Sequence, residues 1–146
     1  MTPLDLRQRS PRNCYDKLDG LMLMPRTIDK LRASLPGGWT GCYFINGKIK
    51  GISGFLLERL GIHEAQLRDV ILRARDDDDV AAWLREHVDT SLYPSINATL
   101  CKITPQHAED PDYVRSAYAE TLSANPELRT IVDIVDADDR RMFAQR

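Results

Sequence analysis

The chain has 146 residues, of which 42% are hydrophobic and 29% are charged, and its formal net charge is −2 at pH 7. This length suits one ordinary domain with its own core, and this composition excludes an intrinsically disordered chain. The small negative charge argues against a general attraction to nucleic acid or to anionic lipid. We expect a single domain over residues 1–146, with residues 1–9 forming a flexible basic arm, and no binding of nucleic acid or membranes.

The charges are unevenly distributed along the chain. Residues 1–60 contain ten Lys/Arg and five Asp/Glu, whereas residues 61–146 contain ten and seventeen. The two halves can attract each other within one fold, which is the favoured interpretation. Alternatively, the basic half of one copy binds the acidic half of another, which predicts a homodimer.

The cysteines indicate the compartment. Cys14, Cys42 and Cys101 are odd in number, widely spaced and without a Cys-x-x-Cys motif. This pattern argues against a disulfide framework and favours a reducing compartment in which the thiols act as small apolar residues. No apolar segment follows the N-terminal arginines, so we expect no secretory signal, and the aliphatic run at 21–24 is too short to cross a membrane. The prediction is a soluble cytoplasmic protein.

Apolar periodicity and helix-breaking residues predict a mainly α fold. A short helix is expected from Ser10-Pro11 to Leu18, and a firmer one from about Pro25 to Leu35. The apolar positions of the final segment, residues 131–137, suit a helix about as well as a short strand. The remaining predicted helices cover residues 53–60, which Gly61 ends, 63–74, 76–88 with an acidic start, and 110–125. Between the last two, a less regular segment begins at Tyr93-Pro94 and has apolar residues at helical spacing until Pro105.

Six of the eight glycines lie in the segment GGWTGCYFINGKIKGISG, residues 37–54. A phosphate-binding P-loop needs four residues between its glycines, followed by Lys and then Ser or Thr. Here five residues separate Gly41 from Gly47, and no hydroxyl residue follows Lys48. The segment is therefore not a P-loop. A looser anion site remains open where a helix begins near Ser53.

Asn46-Gly47 is a strong signal for a two-residue hairpin turn. A turn at this point places Phe44 opposite Ile49, with both side chains facing the helices. Because an isolated two-stranded ribbon is marginally stable, it has to lie on the helical core or pair with another chain. We expect a short β-hairpin or an ordered Gly-rich loop near residues 41–52, and a hairpin edge here would be a candidate dimer contact.

Several blocks follow one another at particular distances: RSPR at 9–12, LMPRTIDKLRA at 23–33, Gly41-x-Tyr43, LLERLGI at 56–62 and DDDDVAAWLREH at 76–87. Together they resemble a small bacterial family known only as domain of unknown function 5069. The resemblance runs over nearly the whole chain, although the Gly-x-Tyr segment is longer here than is common in the family. It implies a soluble, mostly helical bacterial protein of unestablished activity, and it supplies no catalytic residues to transfer.

Arg26, Asp29 and Lys30 are spaced so that they can meet along one helix. The favoured interpretation is a solvated surface pair that contributes little to stability. In the functional alternative, Arg26 and Lys30 bind the carboxylate or phosphate of a small anionic ligand, Tyr43 closes over it, and Lys48 assists. These five residues form the candidate ligand site.

The sequence predicts no metal, cofactor or catalytic group. The histidines, at 63, 87 and 107, are far apart and form no His-x-x-x-His pair. The acidic clusters 76–79 and 136–139 lack the ligand spacing of an EF-hand, and charged helix starts account for both. Cys42 has no neighbouring base to activate it, so we expect a buried thiol.

Two function classes follow. The first, which we favour, is a non-catalytic protein-interaction or adaptor domain, a homodimer that uses the Gly-rich loop and its apolar helix faces. The alternative is a small-molecule-binding protein or an undiscovered enzyme, with an anionic ligand near Arg26, Lys30 and Tyr43. A deep pocket around Arg26 and Tyr43 favours the alternative, whereas an apolar patch at the hairpin edge favours the adaptor.

Overall fold

The structure, a computed structural model, describes residues 1–144. In this range the chain is mainly helical, with eight α-helices and one short antiparallel hairpin, so the predicted fold class is confirmed. The elements in chain order are β1 (Lys17–Leu18), β2 (Leu21–Met22), α1 (Met24–Ala33), α2 (Ile52–Leu60), α3 (Glu64–Arg73), α4 (Asp77–His87), α5 (Tyr93–Leu100), α6 (Pro111–Ala117), α7 (Ala119–Ala124) and α8 (Ile131–Phe143). Single 3-10 turns occur at Thr90–Leu92 and Pro105–His107.

The hairpin lies at Asp19-Gly20. Leu18 pairs with Leu21 across a two-residue turn in which Asp19 and Gly20 have φ values of 53° and 85°. Positive φ at both positions is the geometry that Asp-Gly favours in a type I′ turn. The helix predicted from Ser10 to Leu18 is therefore wrong, because this turn fixes its last two residues as a strand.

Residues 41–51 form an ordered loop, the second of the two predicted alternatives. Phe44 and Ile49 do not pair as strand partners, and a single isolated antiparallel bridge joins Asn46 to Lys50. Gly47 does not adopt the positive φ that a two-residue turn at Asn46-Gly47 requires. The loop is closed instead by a 3.1 Å hydrogen bond from the Gly51 amide to the carbonyl of residue 45.

Two glycines let this loop fold back onto the start of α2. A Cβ atom at Gly54 would lie 2.3 Å from Oδ1 of Asn46 and 3.0 Å from the carbonyl oxygen of Ile45. A Cβ atom at Gly51 would lie 2.7 Å from the same carbonyl oxygen. Because these contacts are so short, a larger residue at either position would force the loop or the Asn46 side chain to shift away from the helix.

Helix α1 is central, and nine of its ten residues are buried. It packs against α2, α3 and β1, with Ile28 and Leu31 in the main hydrophobic core. Its polar side is buried as well: Arg26 and Asp29 are each 1% exposed. The predicted solvated surface pair is therefore wrong, because the Gly-rich loop, α8 and the N-terminal segment cover this face.

The helices predicted over 53–60, 63–74 and 76–88 are confirmed as α2, α3 and α4. Gly61 ends α2 in the left-handed conformation, with φ 72°. Asp76 caps α4 by accepting a hydrogen bond from the Asp79 amide. The helix predicted over 110–125 is divided at Tyr118 into α6 and α7, and the ambiguous final segment is helical in α8.

The N-terminal segment lies against the helical body, unlike the predicted flexible arm. Leu6 is 1% exposed, and its amide donates a 2.8 Å hydrogen bond to the Trp39 carbonyl. Ion pairs also join the two oppositely charged halves of the chain, including Arg12 with Asp77. Within residues 1–144, none of the helices combines the length and the apolar character needed to cross a membrane.

Candidate functional site

A cavity of about 920 Å³ lies between the Gly-rich loop, α2, α6 and α8. Its walls are largely apolar, with one group of polar side chains where α1 meets α8 and further charged side chains around its exposed part. The segment after α5 completes the wall with Ile103 and His107. The apolar and aromatic lining residues include Tyr43, Phe44, Ile49, Ile52, Phe55, Ile103, Ala108, Tyr113, Val114, Ala117, Tyr118, Ile131, Val135 and Met142.

A buried ion pair forms one polar part of the cavity wall. Arg26 on α1 donates through Nη1 to Oδ2 of Asp139 on α8 at 2.6 Å, and also to the Arg12 carbonyl at 3.1 Å. The other carboxylate oxygen of Asp139 accepts a 2.7 Å hydrogen bond from the Tyr43 hydroxyl. The guanidinium lies 5.4 Å from the centre of the Tyr43 ring, which adds a cation–π contact. Asp139 thus fixes the Gly-rich loop to α1.

This arrangement sets the charge of each group. Burial and the hydrogen bond to Asp139 raise the pKa of Tyr43 well above its ordinary value of 10, so the hydroxyl keeps its proton. The positive charge of Arg26 is balanced by Asp139. Among the described residues, the Nε atom of Arg26 has no hydrogen-bond partner although it is buried.

Lys30, one helical turn from Arg26, is the other buried basic group of the wall, and it is 7% exposed. Its Nζ atom donates to the Phe44 carbonyl at 3.1 Å and to Oγ of Ser53 at 3.3 Å. Both acceptors are uncharged. Burial, followed by the charge of Arg26, lowers the pKa of Lys30 from 10.5 to about 7. The amine is therefore held in a mixture of neutral and charged forms at neutral pH.

Four further cations line the exposed part of the cavity. Lys50 forms ion pairs with Glu58 and Glu109, and Arg141 forms ion pairs with Glu120 and Asp138. Arg59 and Lys102, by contrast, have no carboxylate within 4.0 Å in the described part of the chain. The guanidinium of Arg59 instead lies 5.2 Å from the centre of the Phe55 ring.

The family described as domain of unknown function (DUF5069) matches residues 8–141, nearly the whole chain. The chain belongs to this family. The resemblance predicted from the short sequence blocks is thus confirmed. No curated protein is significantly similar to the chain. Since the family description assigns no activity, the function of this DUF5069 protein has to be argued from its cavity.

The structure brings three of the five predicted ligand-site residues together. Arg26, Lys30 and Tyr43 line the same cavity. Asp29 lies elsewhere, where it accepts hydrogen bonds from the Arg12 amide at 2.9 Å and from the Arg12 side chain. Lys48 is exposed, with its Nζ atom 5.1 Å from the centre of the Tyr113 ring. Asp29 therefore holds the N-terminal segment on α1, and Lys48 lies outside the cavity wall.

Asp139 is a member of the site that was not predicted from the sequence. The cluster 136–139 was predicted to be a helix start, but it lies in the interior of α8, where Asp136 and Asp139 are both 5% exposed. These two carboxylates share a helix face with Val132 and Val135. Charged residues at helical spacing on an otherwise apolar face are the signal that could have identified them.

The remaining candidates are distributed around the cavity or away from it. The Cys42 thiol is exposed and lines the cavity, so the predicted buried thiol is wrong, whereas Cys14 is fully buried. Although the residue is exposed overall, the cavity wall partly removes the thiol from water, which raises the pKa of Cys42 and favours the protonated form. Across residues 1–144, no three His, Cys, Asp or Glu side chains are arranged to hold a metal ion.

Proposed function

We propose that this DUF5069 protein binds a small molecule with an apolar body and an anionic head group in the cavity beside α1. The observation behind the proposal is the cavity itself. Its volume of about 920 Å³ lies within the range of small-molecule sites, and its walls are predominantly apolar, with several charged side chains among them. The cavity contains the Arg26 and Tyr43 pair that the sequence analysis set as the criterion for ligand binding.

Charge supports an anionic head group. The lining residues include six Lys or Arg and three Asp or Glu. The carboxylates are all engaged, Asp139 with Arg26, Asp138 with Arg141, and Glu109 with Lys50. The surplus cations are those without a carboxylate partner, which are Lys30, Arg59 and Lys102. A carboxylate or phosphate near the exposed Arg59 and Lys102 gains attraction that a neutral or cationic head group lacks.

The apolar walls support a hydrocarbon or aromatic body. Each methylene group removed from water stabilises a complex by about 0.8 kcal/mol, which is roughly a fourfold gain in affinity. We therefore expect straight-chain carboxylates to bind more tightly as they lengthen, until the chain no longer fits. Decanoate is a suitable probe because it combines a carboxylate with a nine-carbon apolar chain.

The test measures decanoate binding by isothermal titration calorimetry. We expect one molecule to bind per chain, more weakly at high salt because screening reduces the head-group attraction. Ala117 is an exposed residue of α6 that lines the cavity, so Ala117→Trp fills it without entering the main core. Ser116 is also exposed on α6 but lies outside the lining, so Ser116→Trp is the matched control. If decanoate bound equally well to both variants and to the wild type, the proposal would be contradicted.

Replacing the unpaired cations tests the head group. We expect Arg59→Gln and Lys102→Gln each to weaken decanoate binding and to reduce its salt dependence. Arg73 is an exposed residue of α3 that does not line the cavity, so Arg73→Gln is the control. Equal affinities in all three variants would exclude an anionic head group at this position.

The adaptor and homodimer expectations stay predictions alongside this proposal. A cytoplasmic location is likewise proposed, because the described chain has three free cysteines, which is typical of a reducing compartment.

A further inference from the structure

We propose that Lys30 condenses with an aldehyde or ketone carbonyl of the bound molecule to form a Schiff base. This inference rests on the proposed function, because the carbonyl compound has to enter the same cavity. It adds to that function a reversible covalent step and a chemical class of ligand, an apolar oxo acid. The anionic head lies near Arg59 and Lys102, and the carbonyl lies at the buried end.

The surroundings of Lys30 are those of a nucleophilic lysine. The side chain is 7% exposed and lines the cavity, and its Nζ atom contacts the Phe44 carbonyl and Ser53 Oγ, which are both neutral. No carboxylate lies within 4.0 Å of it in the described part of the chain. Burial next to a second cation, here Arg26, favours the neutral form of an amine, whose lone pair is then free to react.

The cation beside Lys30 is fixed. Arg26 is 1% exposed and is held by Asp139 at 2.6 Å and by a backbone carbonyl. It therefore cannot move away when Lys30 takes up a proton, so the repulsion between them persists. Together with burial it lowers the pKa of Lys30 to about 7, whereas an exposed lysine is almost entirely protonated at that pH. At neutral pH about half of Lys30 thus has a free lone pair.

The condensation balances without an oxidant or a reductant. The Nζ lone pair forms a bond to the carbonyl carbon, and the π electrons of the carbonyl move to its oxygen, which gives a carbinolamine. The carbon–oxygen bond then breaks, and the oxygen leaves as water with the two protons that the amine nitrogen gives up. Both protons pass from the nitrogen to the departing oxygen, so the condensation needs no further proton source.

Reductive trapping tests the inference on the wild-type protein. The probe is 10-oxodecanoate, which has a carboxylate at one end and an aldehyde at the other, added at pH 7 with sodium cyanoborohydride. The hydride donor converts an imine to a stable secondary amine, and peptide mass spectrometry reads the extent of labelling at each lysine. We expect Lys30 to be labelled at least about tenfold faster than the other four lysines, because its neutral fraction is on the order of a thousandfold larger. Those lysines are Lys17, Lys48, Lys50 and Lys102.

Lys102 provides a matched comparison, because it lines the same cavity but is exposed. Lys48 is exposed and lies outside the cavity wall, so we expect Lys48→Met to retain the Lys30 adduct, whereas Lys30→Met should lose the fast phase of labelling. Raising the pH from 7 to 10 should increase the free-amine fraction of Lys30 by no more than about twofold, far less than that of an unperturbed lysine. Labelling of Lys30 at the rate of the exposed lysines, or not at all, would overturn the inference.

Parallel titration with decanoate, which has no carbonyl group, separates this inference from the proposed function. If decanoate binds and Lys30 is not labelled preferentially, the Schiff base is excluded and the binding function stands. If Lys30 is labelled rapidly and decanoate does not bind, the covalent step holds and the anionic ligand class is wrong. If neither occurs, both proposals are excluded.

Discussion

Replacing Lys30 with methionine tests whether this buried amine gives up its proton in the folded protein. Lys30 is 7% exposed, and burial together with the charge of Arg26 lowers its pKa from 10.5 to about 7. Methionine has a similar length and carries no charge at any pH. A comparison of the two proteins over a range of pH therefore measures the titration of one side chain.

The sign follows from proton binding. Between pH 7 and 10.5 Lys30 is mostly neutral in the folded protein but charged in the unfolded chain, so folding releases a proton. The free energy of unfolding of the wild type therefore rises with pH relative to that of Lys30→Met. The limiting slope is about 1.4 kcal/mol per pH unit, and the total rise between pH 7 and 10 is on the order of 3 to 4 kcal/mol. Below pH 7 both states are protonated, and the cost of burying the charge is fully present.

The neighbouring ionisable groups do not obscure this difference. Arg26 and Asp139 remain an ion pair over this range, and burial raises the pKa of the Cys14 and Cys42 thiols. These groups are present in both proteins, so their contributions largely cancel. Methionine cannot form the two hydrogen bonds that Lys30 donates to uncharged acceptors. Their loss changes the free energy of unfolding by an amount that is nearly constant with pH.

The assay is urea unfolding at pH 7, 8, 9 and 10, followed by far-ultraviolet circular dichroism. Lys102→Met is the control, because Lys102 is exposed and its replacement removes no buried amine. A difference between the wild type and Lys30→Met that is the same at every pH would refute the reasoning. It would mean that Lys30 stays charged and that its amine is not available for condensation.

Three further substitutions test the structure around the site. Asp139→Asn removes the partner of the buried Arg26, and we expect a loss of about 3 to 5 kcal/mol in the free energy of unfolding, measured with urea; a loss below about 1 kcal/mol would contradict the buried pair. Gly54→Ala brings a Cβ atom within 2.3 Å of Oδ1 of Asn46, so we expect a loss of about 1 to 3 kcal/mol, partly recovered by adding Asn46→Ala. In Gly20→Ala the added Cβ atom would meet no atom within 4 Å, but φ at this position is 85°. Backbone strain alone should therefore lower the free energy of unfolding by about 1 to 2 kcal/mol, measured by thermal unfolding. An unchanged melting temperature would exclude that turn geometry.

Local signals predicted most of the helices, because the information lies within a few residues. Apolar spacing together with Pro25 located α1, and Gly61 located the end of α2. The acidic start of α4 was also recognised, since Asp76 caps its own helix. These features depend on neighbouring residues, which a sequence displays directly.

The choice between turn signals required more than local information. Asp19-Gly20 and Asn46-Gly47 are both favourable two-residue turns, and only the first forms one. At the second, packing against α2 decides the backbone, because Gly54 admits the loop to within contact of the helix. The sequence contains the glycines but not the identity of the surface that they approach.

The candidate site was predicted only in part for the same reason. Arg26 and Lys30 were recognised, although a surface pair was favoured for them. Their burial depends on Asp139, which is 113 positions away from Arg26 in the sequence. A pattern of charges along one helix does not reveal which other helix covers it. The apolar character of residues around Asp139 on α8 was the one local indication that this carboxylate faces inward.

Calorimetric titration of decanoate into the wild type, Ala117→Trp and Ser116→Trp tests the central claim most directly. The proposed function predicts one decanoate per chain for the wild type and for Ser116→Trp, and at least tenfold weaker binding for Ala117→Trp. Absence of binding to the wild type, or equal binding by all three proteins, would contradict the claim that the cavity beside α1 is a ligand site.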